Sequence, residues 1–265
     1  MAHADHVIAF VSTHAEILKE NIALSLPDSS VHIFPGLPPR HKNIHTALYL
    51  AQCLEEIGLP LNAKQAINDA LNGPLLQCNP THHQVTNPVP VSRTGQNLPS
   101  PSTEEGVPAR LQAGKGGGGK MVLHPGSGSE KKNYDPAFWI RFIEKIRHRF
   151  SINGIILLLG PAEQTMYPYY VDRWKETGVE IIFSPDKENL MSLLAHAPLY
   201  IGHDSGITHL AAMLGRPTIA LFKDSSVVQW RPLGPMVRIF QKPDDESHLL
   251  DKLFESIHEF IEVKK

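Results

Sequence analysis

Apolar positions along the chain follow two rhythms, separated by a stretch that has none. Residues 6–12 (HVIAFVS) predict a buried strand. Residues 14–26 predict a helix whose apolar stripe is Ile17, Leu18, Ile22 and Leu24. A second short strand is expected over 31–34, after which Pro35-Gly36-Leu37-Pro38-Pro39 excludes regular structure. Residues 44–57 place Ile44, Ala47, Leu48, Ala51, Leu54 and Ile57 at helical spacing, and Gly58 stops the helix. This βαβα piece has only two strands, fewer than an open α/β sheet usually holds. An incomplete α/β domain is therefore expected over 1–78.

Periodicity vanishes over 79–119. Six prolines run from Pro80 to Pro108 among Ser, Thr, Asn and Gln, and the stretch ends in glycines around Lys115. Such composition predicts a linker or a disordered insertion. It is not a phosphate loop, because Lys120 is followed by Met121 and no GxxxxGK[ST] occurs. Over 120–245 the rhythm becomes regular. Strands are expected at 121–124, 155–159, 180–183, 199–202, 218–222 and 237–240. Helices are expected at 136–149, 162–177, 187–196, 206–214 and 246–262. Apolar strands alternating with helices indicate a parallel sheet covered on both faces. Ligands then belong at the carboxyl ends of the strands.

Composition narrows the function. With 42% hydrophobic and 20% charged residues the chain can bury a core, which excludes wholesale disorder. A formal charge of −2 gives no electrostatic case for nucleic acid. Cys53 and Cys78 read as free thiols of a reducing cytoplasm. The opening MAHADHVIAF lacks a signal-peptide pattern, and no apolar run approaches the roughly 20 residues of a membrane span. The fifteen histidines are scattered, without HExxH or a Cys/His quartet, so most are expected at the surface and none in a metal site.

Three predicted strand ends carry polar loops. In His124-Pro125-Gly126-Ser127-Gly128-Ser129, glycines permit close main-chain approach and serines add hydroxyls, with Glu130-Lys131-Lys132 following. These are the parts a diphosphate needs, although a plain turn is the alternative. In Gly160-Pro161-Ala162-Glu163, Glu163 either serves the helix dipole or holds ribose hydroxyls. The sharpest loop is Gly202-His203-Asp204-Ser205-Gly206-Ile207-Thr208-His209. Asp204 or Ser205 is a natural N-cap, and the amides after it form an anion site. His209 lies four residues after Ser205, on the same helix face. Ser225 and Ser226 follow another strand end and are candidates for the same ligand. Trp230 reads as a packing residue or as part of an acceptor cleft.

The ordered set HPGSGSEKKNY, LLLGPAE, LYIGHDSGITHLAAMLGRPTIALF and QWRPLG resembles glycosyltransferase family 9, the ADP-heptose:lipopolysaccharide heptosyltransferases. The resemblance covers about 121–245; residues 6–60 are weakly similar to the later part of the family's N-terminal domain. It implies an α/β fold of the GT-B type, with a complete C-terminal Rossmann-like domain and an incomplete N-terminal one. The helix at 246–265 would pack towards the N-terminal domain. The implied chemistry is inverting, metal-independent transfer of a sugar, heptose by association, from a nucleotide diphosphate to a lipid-linked, lipopolysaccharide-type saccharide. No cofactor is implied, and the setting is the cytoplasm, with peripheral contact at the inner membrane face.

By motif, Gly126, Ser127 and Lys132 would meet the diphosphate, with Lys131 the rival lysine. Glu163 would hold the ribose, and Asp204, Ser205, Gly206 and His209 would grip diphosphate and sugar. Lys132, Asp204 and His209 would stabilise charge in the transition state. The family's opening glycine-rich loop, with an Asp proposed as general base, has no match here, so no base is transferred and a truncated chain is expected. Two alternatives to an active transferase are a non-catalytic nucleotide-sugar-binding remnant and another GT-B relative, such as a nucleotide-sugar epimerase.

Overall fold

A computed structural model describes residues 4–39, 41–73, 119–150, 154–174, 178–242 and 246–262. The chain divides into two compact units, one of residues 1–72 with 226–231, the other of 73–225 with 232–265. The expected linker at 79–119 falls almost wholly outside the described residues, as does Cys78.

The first unit contains β1 (His6–Phe10), α1 (Ala15–Ser25), β2 (Ser30–Phe34), α2 (Thr46–Glu56) and α3 (Ala63–Asn72). β1 and β2 pair in parallel, with His6 opposite Ser30. The expected stripe on α1 needs correction: Ile17 and Leu24 are exposed, and the inward residues are Ala15, Leu18 and Ile22. Spacings of three and four residues keep that set on one face, whereas Ile17 and Leu24 sit off it. Helix α3 was not expected. Its stripe is Ala63, Ala66, Ile67 and Ala70, at helical spacing but so small that its hydrophobic signal is weak. Glu55 ties it to α2 by accepting the Ala63 N–H at 2.8 Å. His45 caps α2 through Nδ1, which accepts the Ala47 N–H, while Nε2 donates to the Arg231 carbonyl at 2.9 Å.

In the second unit the strands are β3 (Met121–His124), β4 (Ile155–Leu159), β5 (Val179–Phe183), β6 (Tyr200–His203), β7 (Thr218–Phe222) and β8 (Val237–Gln241). Helices α4 (Pro136–Arg149), α5 (Tyr167–Trp174), α6 (Lys187–His196) and α7 (Gly206–Met213) alternate with them. After β7 comes α8 (Val227–Trp230), which belongs to the first unit, and α9 (Glu246–Glu262) follows β8. The sheet runs β5-β4-β3-β6-β7-β8 and every pair is parallel. This is the doubly wound α/β order expected of a Rossmann-like domain, with its topological switch between β3 and β6. The first unit, with one parallel pair of strands, holds the smaller of the two sheets.

Alternate strand residues feed two cores. Met121, Leu123, Leu157 and Ile201 pack with Phe138, Trp139 and Phe142 of α4 and with Leu253 and Phe254 of α9. Val122, Ile156, Leu158 and Tyr200 pack with Leu194 and Ala211 of α6 and α7. Each large aromatic fully buried in this way contributes on the order of 1.5–3 kcal/mol. Helix α9, read as turning towards the N-terminal part, buries Phe254 against Phe142 and Phe150.

The helix expected over 162–177 is shorter. Residues Pro161–Glu163 form a single 3-10 turn, and α5 begins at Tyr167. Pro168 has no N–H to donate and is tolerated only in a first turn, which fixes that start.

Candidate functional site

Because all six strands are parallel, the carboxyl ends of β4, β3 and β6 share one rim, side by side. The loops that follow them are the three polar loops of the sequence. Together they bring Gly126, Ser127, Lys132, Glu163, Asp204, Ser205, Gly206 and His209 to the switch point, where doubly wound sheets bind ligands.

The centre of the rim is an ion pair. Lys132 Nζ donates to Asp204 Oδ2 at 2.7 Å, and His209 Nε2 stands 3.6 Å from Asp204 Oδ1. Lys132 is partly exposed while the carboxylate is buried. Burial alone would push the Asp204 carboxyl up. The nearby His209, the Lys132 hydrogen bond, Ser225 and the lysine charge outweigh it and hold it at about 2. Lys131 is exposed.

Ser205 is the N-cap of α7, its hydroxyl accepting the Thr208 N–H at 3.4 Å. The Gly206 and Ile207 amides, in the first turn, have no intrahelical acceptor. Gly206 is exposed, with open space where a Cβ would stand. Beneath the cap, Thr208 donates to the His203 carbonyl and lies 3.1 Å from both the Tyr200 and Ser205 hydroxyls. Tyr200 in turn reaches His124 Nδ1 at 3.2 Å.

Glu163 closes the other side. Its Oε2 accepts the Gly160 N–H at 2.8 Å and lies 3.9 Å from His124 Nε2. Burial raises this carboxyl, against the lowering effect of the Gly160 and Glu163 main-chain N–H groups. A Cβ on Gly126 would run into the Glu163 carboxylate, so a larger residue fits only if that carboxylate leaves the Gly160 N–H. Ser127 is buried and donates to Asn133 Oδ1 at 2.6 Å, binding the loop to the turn that carries Lys132.

His124 and His203 are the exceptions, among the described residues, to the expectation that most histidines lie at the surface: both are buried, and burial holds them down at about 4 and about 3 respectively. The N-cap is Ser205, while Asp204 is committed to Lys132. Ser225 lies by Asp204, but Ser226 caps α8 by accepting the Gln229 N–H. Sequence reasoning gave no role to Tyr200, Thr208, Asn133 or Lys223. The usable signal was a polar residue ending or interrupting an apolar strand, as His124, Tyr200 and His203 do. Among the described residues, no group of three or more His, Cys, Asp or Glu side chains is arranged to hold a metal, and no helix is long and apolar enough to cross a membrane.

The fold and rim define a doubly wound α/β protein with three polar loops meeting at its switch point. The chain belongs to glycosyltransferase family 9 (heptosyltransferase), whose model matches residues 84–255. It is similar to lipopolysaccharide heptosyltransferase 3 of Escherichia coli, 24% identical over 136 residues, covering 38% of this chain and 40% of the relative. Among solved structures it resembles E. coli ADP-heptose lipopolysaccharide heptosyltransferase II, with a TM-score of 0.48, 15% identity, and coverage of 56% and 48%. It also resembles E. coli heptosyltransferase WaaC with ADP, with a TM-score of 0.48, 22% identity, and coverage of 54% and 45%. The chain spans less than half the length of these relatives. Membership of the family rests on the family match and not on these distant superpositions.

Proposed function

We propose that the rim binds the diphosphate of a nucleotide sugar, and that the chain is the donor-binding part of a glycosyltransferase. The sugar is heptose and the nucleotide ADP by family association, and the acceptor is a lipid-linked saccharide of the lipopolysaccharide type. In this reading, residues 120–245 form the donor domain, 1–78 the acceptor-side remainder, 79–119 their connection and 246–265 the closing helix. The observation that carries the proposal is the Lys132–Asp204 pair beside the open first turn of α7.

Transfer leaves a new negative charge on the departing nucleoside diphosphate. The Gly206 and Ile207 amides, the α7 dipole and the Lys132 ammonium supply donors to that charge without a metal. Fixed donors act more strongly in transition state than in ground state because they need no reorganisation. Asp204 keeps Lys132 aimed and, with His209, presents polar atoms to the sugar. Glu163, opposite, accepts from ribose hydroxyls. Displacement of the diphosphate from the face opposite the acceptor inverts the anomeric carbon.

Calorimetric titration of the purified chain with ADP, beside transfer of radiolabelled sugar from ADP-heptose to a lipopolysaccharide acceptor, tests the proposal. Saturable ADP binding together with transfer is the expected result. Binding with neither transfer nor hydrolysis would make the chain a donor-binding module, and interconversion of the nucleotide sugar would make it an epimerase. Absence of ADP binding would overturn the site.

A further inference from the structure

We infer that His203 is the positioning residue for Lys132: from the strand end that carries Asp204, its ring holds the main chain two residues beyond the lysine. The inference rests on the donor-binding reading above and names what sets the place of its ammonium group.

Lys132 ends a single 3-10 turn, Glu130–Lys132. So short a turn has little stability of its own. Its place is set by outside ties. Asn133 Oδ1 accepts from Ser127 at 2.6 Å, the Asn133 carbonyl accepts from Lys223 Nζ at 2.7 Å, and the Tyr134 N–H donates to His203 Nε2 at 2.9 Å. His203 differs from the other two in two respects. It has no exposed surface, so water cannot replace it, and it precedes Asp204 in the chain. One strand end thus holds both partners of the 2.7 Å ion pair in register. A slip of about 1 Å in the turn would stretch that pair beyond good hydrogen-bonding range.

The ring itself is fixed. It stacks on Tyr134 at 5.5 Å and meets the edge of Trp139 at 5.3 Å. An imidazole can accept at Nε2 only when neutral, with its proton on Nδ1. Burial keeps this ring neutral. Nδ1, which then carries the proton, is buried and has no hydrogen-bond partner among the described residues. A purely apolar filler would pack in this space but would leave the buried Tyr134 N–H without its acceptor.

The test is a double-mutant cycle read by ADP calorimetry on the full chain, with thermal midpoints measured alongside. Glutamine reaches as far as Nε2 and keeps an acceptor there, whereas phenylalanine keeps a ring and removes it. His203→Phe is expected to weaken ADP about tenfold, and His203→Gln by less than about threefold. In the Lys132→Ala background His203→Phe should cost less than about twofold, because its effect passes through the lysine. Equal losses in both backgrounds, or no loss with Phe, would overturn the inference while leaving the donor site standing. If His203→Phe does not fold, His203→Asn replaces it, since its shorter amide overlays Nδ1 and cannot reach Tyr134; the same pattern is expected, and Asn matching Gln would refute the role. A wild-type chain that fails to bind ADP removes the donor reading itself.

Discussion

Lys132 Nζ lies 2.7 Å from Asp204 Oδ2, although the two residues are 72 positions apart in the chain. The contact joins the turn after β3 to the end of β6, across the switch point of the sheet. It also separates Lys132 from Lys131, its adjacent rival in the sequence. Lys132→Ala and Asp204→Ala are each expected to weaken ADP binding by about 1.5–3 kcal/mol, the range of charge-assisted hydrogen bonds. Their double variant should lose less than the sum, because the two act through one interaction. Lys131→Ala should change binding by less than about 0.5 kcal/mol. Calorimetry on the four variants checks this, and an equal loss for Lys131→Ala would remove the assignment of Lys132.

Gly126 and Glu163 make a second pair. The carboxylate occupies the space that a side chain at 126 would need. Gly126→Ala is therefore expected to destabilise the fold by about 1–3 kcal/mol and to lower ADP affinity. Adding Glu163→Ala should return most of the stability but not the affinity. Urea unfolding beside ADP titration separates the two effects; a single variant as stable as the parent would contradict the geometry.

The second unit was legible almost element by element because several of its strands are apolar throughout and its helices alternate with them, some behind clear N-caps. Asp135 and Asp186 accept the Ala137 and Asn189 N–H groups where sequence reasoning began α4 and α6. Legibility failed where the signal was small or non-local. The alanine stripe of α3 carries little hydrophobicity. On α1 more apolar residues are present than the fold turns inward, so the sequence stripe held Leu18 and Ile22 correctly but also took in the exposed Ile17 and Leu24. The three polar loops were readable as candidates, but not their internal wiring. Whether His203 is solvated or bonded to Tyr134 depends on a contact across 69 positions, which no local pattern records.

Thr208 links three segments under the cap of α7. It donates to the His203 carbonyl and contacts the Ser205 and Tyr200 hydroxyls in a fully buried position. Valine has nearly the same shape but offers no hydroxyl to these partners. Thr208→Val is expected to destabilise the protein by about 1–3 kcal/mol with an unchanged denaturant slope. A neutral result in urea unfolding would mean that the buried hydroxyls are satisfied without Thr208.

The buried histidines set the response to acid. Burial holds His124 at about 4 and His203 at about 3, against about 6.5 in an unfolded chain. Below pH 6.5 the unfolded chain binds protons that the native protein refuses, so stability rises with pH up to that point and falls on acidification. Each imidazole is expected to cost about 2 kcal/mol between pH 7 and 5. Glu163 works in the opposite direction, because its raised carboxyl takes a proton in the native state before the unfolded chain does. Asp204, held low, loses its contribution only as pH falls below the ordinary carboxylate range towards about 2, outside this window. Urea unfolding at pH 7, 6 and 5 should therefore show a steep loss in the parent chain and about half of it in His203→Gln, whose amide does not titrate. Parallel pH profiles for the two would mean that His203 is already charged, or solvated, in the native protein.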